Sequence, residues 1–214
     1  MDWRALNLEK TKEDLKTSVN ESNLIIRLIE AIDEIDNTVN RLVVILREWY
    51  GLYGPRASII KDQDSFLNAV ESHKKEDITS EFIKADDIKQ ILSLHEEILR
   101  LKKIEEDYKK YLERVMSNYC KNVLESSGAI VGARLIKLAG SLDNLAKMTS
   151  STIQVLGAEK SLFRHLKKGS RAPKFGVLYF HNDVSQAKDK EKAKAARKVA
   201  AKIGIAAKKD FYGK

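Results

Sequence analysis

The sequence predicts an all-α protein, on three observations. Charged residues fill 33% of the 214 positions, aromatics only 7%, and two prolines interrupt the whole chain. That balance favours long helices over the turn-rich strands of a sandwich or barrel. Apolar residues recur at alternating spacings of three and four over two long stretches, and from Gly128 onward small residues suit shorter, closely crossed helices.

The first stretch runs Ile25, Leu28, Ile32, Ile35, Val39, Leu42, Leu46, Trp49, which is a heptad seam. Asn20 or Ser22 is placed to cap its start. Gly51, Gly54 and Pro55 end it, because glycine suits the position after a helix and proline cannot extend the hydrogen-bond ladder. A second seam runs Ile91, Leu94, Ile98, Leu101, Glu105, Tyr108, Leu112, Val115, Tyr119. Its one polar member is Glu105, and Ile104 is expected to pack in its place. Helices of roughly 30 residues reach about 45 Å, and neither buries its stripe alone. Residues 56–85 between them hold a short helix around Phe66, Leu67 and Val70 and a charged turn from His73 to Asp77. This is enough chain to bring the second helix back antiparallel on the first. Trp49, Tyr50 and Tyr53 are expected to fill the end of that hairpin, whose outer flank suits self-association or a partner helix.

Near Gly128 the long period gives way to Gly128, Ala129, Gly132, Ala133, Ala139 and Gly140. This places a domain boundary between an arm, 1–127 with 56–85 as an inserted tip, and a module, 128–214. Residues 129–148 read as one helix with Ile130, Leu135, Leu138, Leu142 and Leu145 inward. Ser150, Ser151 and Thr152 break the pattern. Gly157 precedes a helix over 158–168 that Gly169 ends, and Phe163 is expected in the core. Lys167, Lys168, Arg171 and Lys174 make a basic loop, and Val177 to Phe180 a short apolar segment. A last helix over 184–208 turns Ala193, Ala196, Ala200, Ile203 and Ala207 inward and Lys190, Lys194, Arg197 and Lys198 outward.

Charge divides along the same line. Residues 128–214 hold 19 Lys and Arg against 6 Asp and Glu, net +13, whereas residues 1–127 hold 20 against 25, net −5, for the total of +8. So basic a module attracts polyanions by counterion release, which favours RNA or DNA over an anionic membrane or an acidic protein. Other classes are excluded. The single cysteine, Cys120, permits neither an intramolecular disulfide framework nor a multi-cysteine zinc site and suits a reducing compartment. Neither a membrane-length apolar run nor the basic-then-apolar order of a signal peptide occurs. His73, His95, His165 and His181 form no HExxH pair, and neither a phosphate loop nor a G-x-S-x-G elbow is present. No catalytic residue, metal or cofactor is assigned.

Four stretches of the second module resemble a known family: Gly128-Ala-Ile-Val-Gly-Ala-Arg-Leu-Ile-Lys-Leu-Ala-Gly-Ser-Leu142, Ser150-Ser-Thr-Ile-Gln-Val-Leu-Gly-Ala-Glu-Lys-Ser-Leu-Phe-Arg164, Pro173-Lys174 before Gly176, and Ala195-Ala-Arg-Lys-Val-Ala-Ala-Lys202. Together they are similar to the Nop domain of box C/D small ribonucleoprotein scaffold proteins and of the related spliceosomal U4 protein. Gly157-Ala-Glu-Lys160 resembles the box C/D branch more closely, and Leu46-Arg-Glu-Trp-Tyr-Gly51 resembles the coiled coil that precedes the domain. The resemblance implies a scaffold that binds a composite surface of kink-turn RNA and a small kink-turn-binding protein, and that dimerises, with itself or a homologous partner, through the coiled coil. It implies a cytoplasmic location in an archaeon and a nuclear or nucleolar one in a eukaryote, with rRNA processing as the context. Ser161, Thr149 and Phe175 depart from the family's usual alanine, proline and histidine. The residues before Ile25 are too few for the N-terminal domain by which such scaffolds recruit a fibrillarin-type methyltransferase, so methyltransferase docking would need a further domain or another surface.

Carried onto this chain, the resemblance and the charge pattern mark an RNA-binding set: Glu159, Lys160, Arg164, Lys167, Lys168, Arg171, Lys174 and Arg197. Lys160 and Arg164 stand one helical turn apart and suit successive phosphates; as an ordinary surface they are a solvated pair. Glu159 either complements the helix dipole or orients Lys160 and accepts from a base or partner amide. Ser151, Thr152 and Gln154 fall where the family meets the kink-turn-binding protein; the plain alternative for the hydroxyls is helix capping. A competing reading makes the chain a protein-only dimerisation adaptor whose basic charge serves solubility.

Overall fold

The computed structural model describes residues 3–18, 20–72 and 85–213, with side chains described for all of these except 13–18 and 85. The charged turn expected over His73–Asp77 lies outside the described residues. All regular structure among them is helical: α1 Trp3–Ser18, α2 Glu21–Gly51, α3 Pro55–Ser58, α4 Gln63–Glu71, α5 Ala85–Tyr119, α6 Lys121–Ser127, α7 Ala129–Ala139, α8 Leu142–Lys147, α9 Ser150–Val155, α10 Glu159–Lys168, a 3₁₀ turn Val177–Phe180, α11 Asn182–Ser185 and α12 Lys192–Tyr212. They form two packing units, residues 31–108, and the residues up to Glu30 together with those from Lys109 on.

In the unit 31–108, α2 contributes Val39, Val43, Leu46 and Tyr50 to a core completed by Phe66, Leu67 and Val70 of α4 and Ile91 and Ile98 of α5. The buried line of α2 runs through Val43 and Tyr50, while Trp49 is 36% exposed. The expected seam placed Leu42 and Trp49 there. Adjacent apolar pairs (Leu42-Val43, Trp49-Tyr50) make the stripe wide enough for either register, and packing against α4 and α5 selects the second. The Tyr50 ring meets Phe66 edge to face at 6.3 Å, and the Arg47 guanidinium lies 4.2 Å over Phe66 while donating to the Ser58 and Ile60 carbonyls. Asp62 caps α4 by accepting from the Ser65 amide at 2.9 Å. His95 Nε2 donates to the Leu67 carbonyl at 3.0 Å, tying α5 to α4. Glu105 is itself buried, whereas Ile104 is 41% exposed, so Ile104 does not take over its place. The spacing Leu101, Glu105, Leu112 keeps the carboxylate on the inner line, and an adjacent residue points about 100° away.

In the other unit, Asn20 caps α2 by accepting from the Asn23 amide at 2.9 Å. Ser22 instead turns inward, and its hydroxyl lies 2.8 Å from that of Tyr119. The first turn of α2 thus meets the last turn of α5, as antiparallel neighbours do. Every described side chain of α1 is exposed. The core gathers Ile25, Ile29, Leu112, Met116, Cys120, Leu135, Ile136, Leu142, Ile153 and Leu178 around α12, whose inward face is Ala196, Val199, Ala200, Ile203, Gly204 and Ala207. Small residues let neighbours approach closely; a Cβ on Gly204 would touch Ile153 at 3.4 Å. Two long helices expected here are split. Gly140 adopts φ +85 and stops α7, and Ser141 starts α8 by accepting from the Asn144 amide at 3.0 Å. Likewise α11 and α12 are separate helices. Ser150 to Thr152, expected as a break, are the first turn of α9, capped by Thr149.

Candidate nucleic-acid interface

The surface singled out by sequence is built from α9, α10 and the loop that follows them. Thr149 Oγ1 accepts from the Thr152 amide at 3.3 Å and lies 2.8 Å from the Ser151 hydroxyl and 2.9 Å from that of Thr152. Ser151 and Thr152 are exposed, so capping is done by Thr149 and leaves their hydroxyls at the surface. After α9 the chain turns at Gly157, where φ is +88, a region that glycine enters without steric cost. Glu159 fixes that turn: its Oε1 accepts from the Gly157 amide at 2.6 Å. The amide it accepts from belongs to its own chain, and the carboxylate also sits where the helix dipole favours it.

Helix α10 carries Lys160, Arg164, Lys167 and Lys168, all exposed, and ends at Gly169 with φ +62. None of its residues is buried. Phe163 is 60% exposed and Leu166 69%, which corrects the expectation that Phe163 belongs to the core. With only Leu162, Phe163 and Leu166 apolar among its ten residues, α10 lacks the wide stripe a core helix needs. That shortage was visible in the sequence.

The basic loop is laced back onto the link between α9 and α10. The Gly176 amide donates to the Gln154 carbonyl at 3.0 Å, the Val177 amide to the Leu156 carbonyl at 2.9 Å, and Gln154 Nε2 to the Lys174 carbonyl at 2.7 Å. Only glycine fits at 176, since a Cβ there would stand 1.9 Å from the Leu156 oxygen. The His165 ring closes the near end of the loop on the Ser170 carbonyl. Arg171 and Lys174 are exposed on this laced segment. The structure therefore brings Ser151, Thr152, Gln154, Glu159, Lys160, Arg164, Lys167, Lys168, Arg171 and Lys174 onto one connected piece of chain. Arg197 stands apart on α12, exposed with Lys194 and Lys198. The side chain of Gln154 is committed to the loop, a role its position in the sequence does not suggest.

Among the described residues no cluster of His, Cys, Asp and Glu is arranged to hold a metal ion, and no described helix is long and apolar enough to cross a membrane. What the surface offers is solvated cations on a fixed backbone, beside hydroxyls and two exposed apolar side chains.

Comparison with known proteins places this architecture. Residues 78–214 match the family model described as "Nop: snoRNA binding domain, fibrillarin". An uncharacterized NOP5 family protein of Methanocaldococcus jannaschii is 35% identical over 232 residues, covering 96% of this chain and 56% of that protein. Human Nucleolar protein 58 is 33% identical, covering 89% and 41%, and Nucleolar protein 56 of Schizosaccharomyces pombe is 33% identical, covering 94% and 47%. The chain thus spans roughly half the length of these relatives. Among solved structures, a crystal structure of a fibrillarin/Nop5p complex aligns with a TM-score of 0.57 at 25% identity, covering 98% of this chain and 69% of that one. The match over 137 of 214 residues, in a chain whose regular structure is all helical where described, makes this protein a member of the Nop-domain family.

Proposed function

We propose that this chain is an RNA-binding scaffold of a box C/D-type small ribonucleoprotein, and that it recognises kink-turn RNA together with the small protein bound to it. The observation that carries the reading is α10: a helix with no buried residue, held by a glycine turn at each end, that presents Lys160 and Arg164 alongside exposed Phe163 and Leu166. Cations alone serve phosphates. Cations interleaved with uncovered apolar side chains suit a surface that is part nucleic acid and part protein, with shape and phosphate contacts outweighing base readout. Ser151 and Thr152 supply exposed hydroxyls for the protein half, and Lys167, Lys168, Arg171, Lys174 and Arg197 the charge for a flanking stem.

In this reading residues 128–214 are the RNA-binding module and residues 1–127 an arm that pairs two copies. Exposed Val44, Ile45, Trp49 and Leu52 on α2 and just beyond it supply apolar surface for that pairing. The setting is cytoplasmic in an archaeon and nucleolar in a eukaryote. No methyltransferase contact and no catalytic step is assigned to any residue.

Nuclease footprinting tests the reading against a protein-only adaptor. Added to kink-turn RNA with its primary protein, the chain is expected to extend the protected region into the adjoining stem. An unchanged footprint, with the chain dimeric by sedimentation, would make it an adaptor.

A further inference from the structure

The 3₁₀ turn Val177–Phe180, which follows the basic loop, carries Tyr179 and Phe180, and these join Phe175 in an aromatic group. Phe175 and Tyr179 stack with centroids 5.5 Å apart and planes 18° from parallel, and Tyr179 meets Phe180 edge to face at 5.7 Å. Two cations adjoin the rings. The Arg134 guanidinium lies 5.4 Å from the Phe180 centroid, and the Lys192 ammonium lies 5.2 Å from that of Tyr179. Core packing does not explain Phe180: it is 63% exposed, while Leu178 of the same turn is fully buried and anchors it.

A cleft of about 450 Å³ opens beside Phe180, lined by Glu125, by Gly128 to Val131 at the start of α7, and by Asn182 and Asp183. A Cβ on Gly128 would meet nothing within 4 Å, so the cleft is open on that side. His181 ties parts of its lining together: its Nδ1 accepts from the Asp183 amide at 3.1 Å and its Nε2 donates to the Ser126 carbonyl at 3.2 Å.

We infer that this cleft receives one unpaired nucleotide of a bound RNA, with its base stacked on Phe180, its exocyclic amine toward Glu125 and Asp183, and its phosphate outside beside Arg134. The inference rests on the chain's being an RNA-binding protein, but it uses none of the residues of α10. Its volume lies in the range of small-ligand sites. An exposed aromatic ring next to a cation is the element on which single-stranded nucleic acids stack. Carboxylates repel phosphate and accept hydrogen bonds from base amines, so Glu125 and Asp183 turn the base inward and the backbone outward. Uracil has no such amine, and adenine, cytosine and guanine do.

The test is fluorescence anisotropy of labelled single-stranded octamers, oligo-C and oligo-U, with the whole chain alone, comparing Phe180→Ala and Phe180→Trp with the parent. Phe180→Ala is expected to weaken oligo-C binding about tenfold, as removal of one base stack does, with Phe180→Trp restoring it and oligo-U binding less tightly than oligo-C. Equal affinities for parent and Phe180→Ala, both shown to be folded by thermal melts, overturn the inference. So does an absence of octamer binding by the parent. Kink-turn assembly measured on the same samples separates the two claims: intact assembly with a silent Phe180→Ala sinks the cleft alone, whereas failure of assembly in the parent sinks the function proposed above.

Discussion

Asp210, near the end of α12, accepts hydrogen bonds from the backbone amides of Asn122 and Val123 at 3.1 and 2.8 Å and from the Asn122 side chain at 2.6 Å. It thereby caps α6 from the far end of the sequence. The residue at the helix's own cap position, Cys120, makes no side-chain cap. Asp210 is 7% exposed, so its removal leaves amides with little access to water. Asp210→Ala is expected to lower stability by about 2 kcal/mol, read from the urea midpoint, and Asp210→Asn by less because one acceptor oxygen remains.

Gly176 lies under the Leu156 carbonyl with no room for a Cβ. Gly176→Ala therefore forces the basic loop off its lacing to Gln154 and Leu156, at a cost of about 1 to 3 kcal/mol. Hydrogen exchange at Val177 is expected to accelerate while exchange in α12 changes little. Unchanged protection at Val177 would show that the lacing is weaker than its geometry implies.

Lys160 and Arg164 are exposed, and among the described residues neither has an ion-pair partner, so their removal leaves the fold intact. Lys160→Ala and Arg164→Ala are each expected to weaken assembly on kink-turn RNA. Each should also reduce the slope of log affinity against log salt by about one for every phosphate no longer neutralised. Identical slopes in titrations at several salt concentrations would remove these two residues from the interface.

The Asp62 carboxylate accepts from the Ser65 hydroxyl and amide, and these bonds hold its pKa below the usual carboxylate range. Its folded pKa thus lies below the unfolded one. The stability it contributes is present above the unfolded value and is lost as pH falls through the folded value. Asp62→Asn is expected to flatten that part of the acid limb, measured as the urea midpoint from about pH 5 downward, and to leave the midpoint's pH dependence near neutrality unchanged.

The helical class, the limits of α2 and the start of α10 were all legible, because heptad spacing, glycine stops and polar caps are local signals. Register was less so, since Leu42-Val43 and Trp49-Tyr50 satisfy a stripe in either phase and only packing with α4 and α5 decides between them. The split of α7 from α8 turns on the left-handed Gly140 and the Ser141 cap, which a run of apolar residues over 129–148 conceals. In the candidate site, charge and spacing found the cations. They did not reveal that Gln154 and Glu159 hold the backbone in place, because those bonds depend on turns and loop approaches that only the fold creates. The exposure of Phe163 was legible in the narrow apolar stripe of α10, whereas that of Phe180 was not, because a short apolar segment does not tell which of its residues faces the core.

Composite recognition is open to a gel-shift titration of this chain on a kink-turn RNA, with and without the kink-turn-binding protein and at two salt concentrations. A supershift is expected only when both partners are present, weakening as salt rises. An equal shift on RNA alone, or none with both partners from a chain shown to be folded, would contradict it.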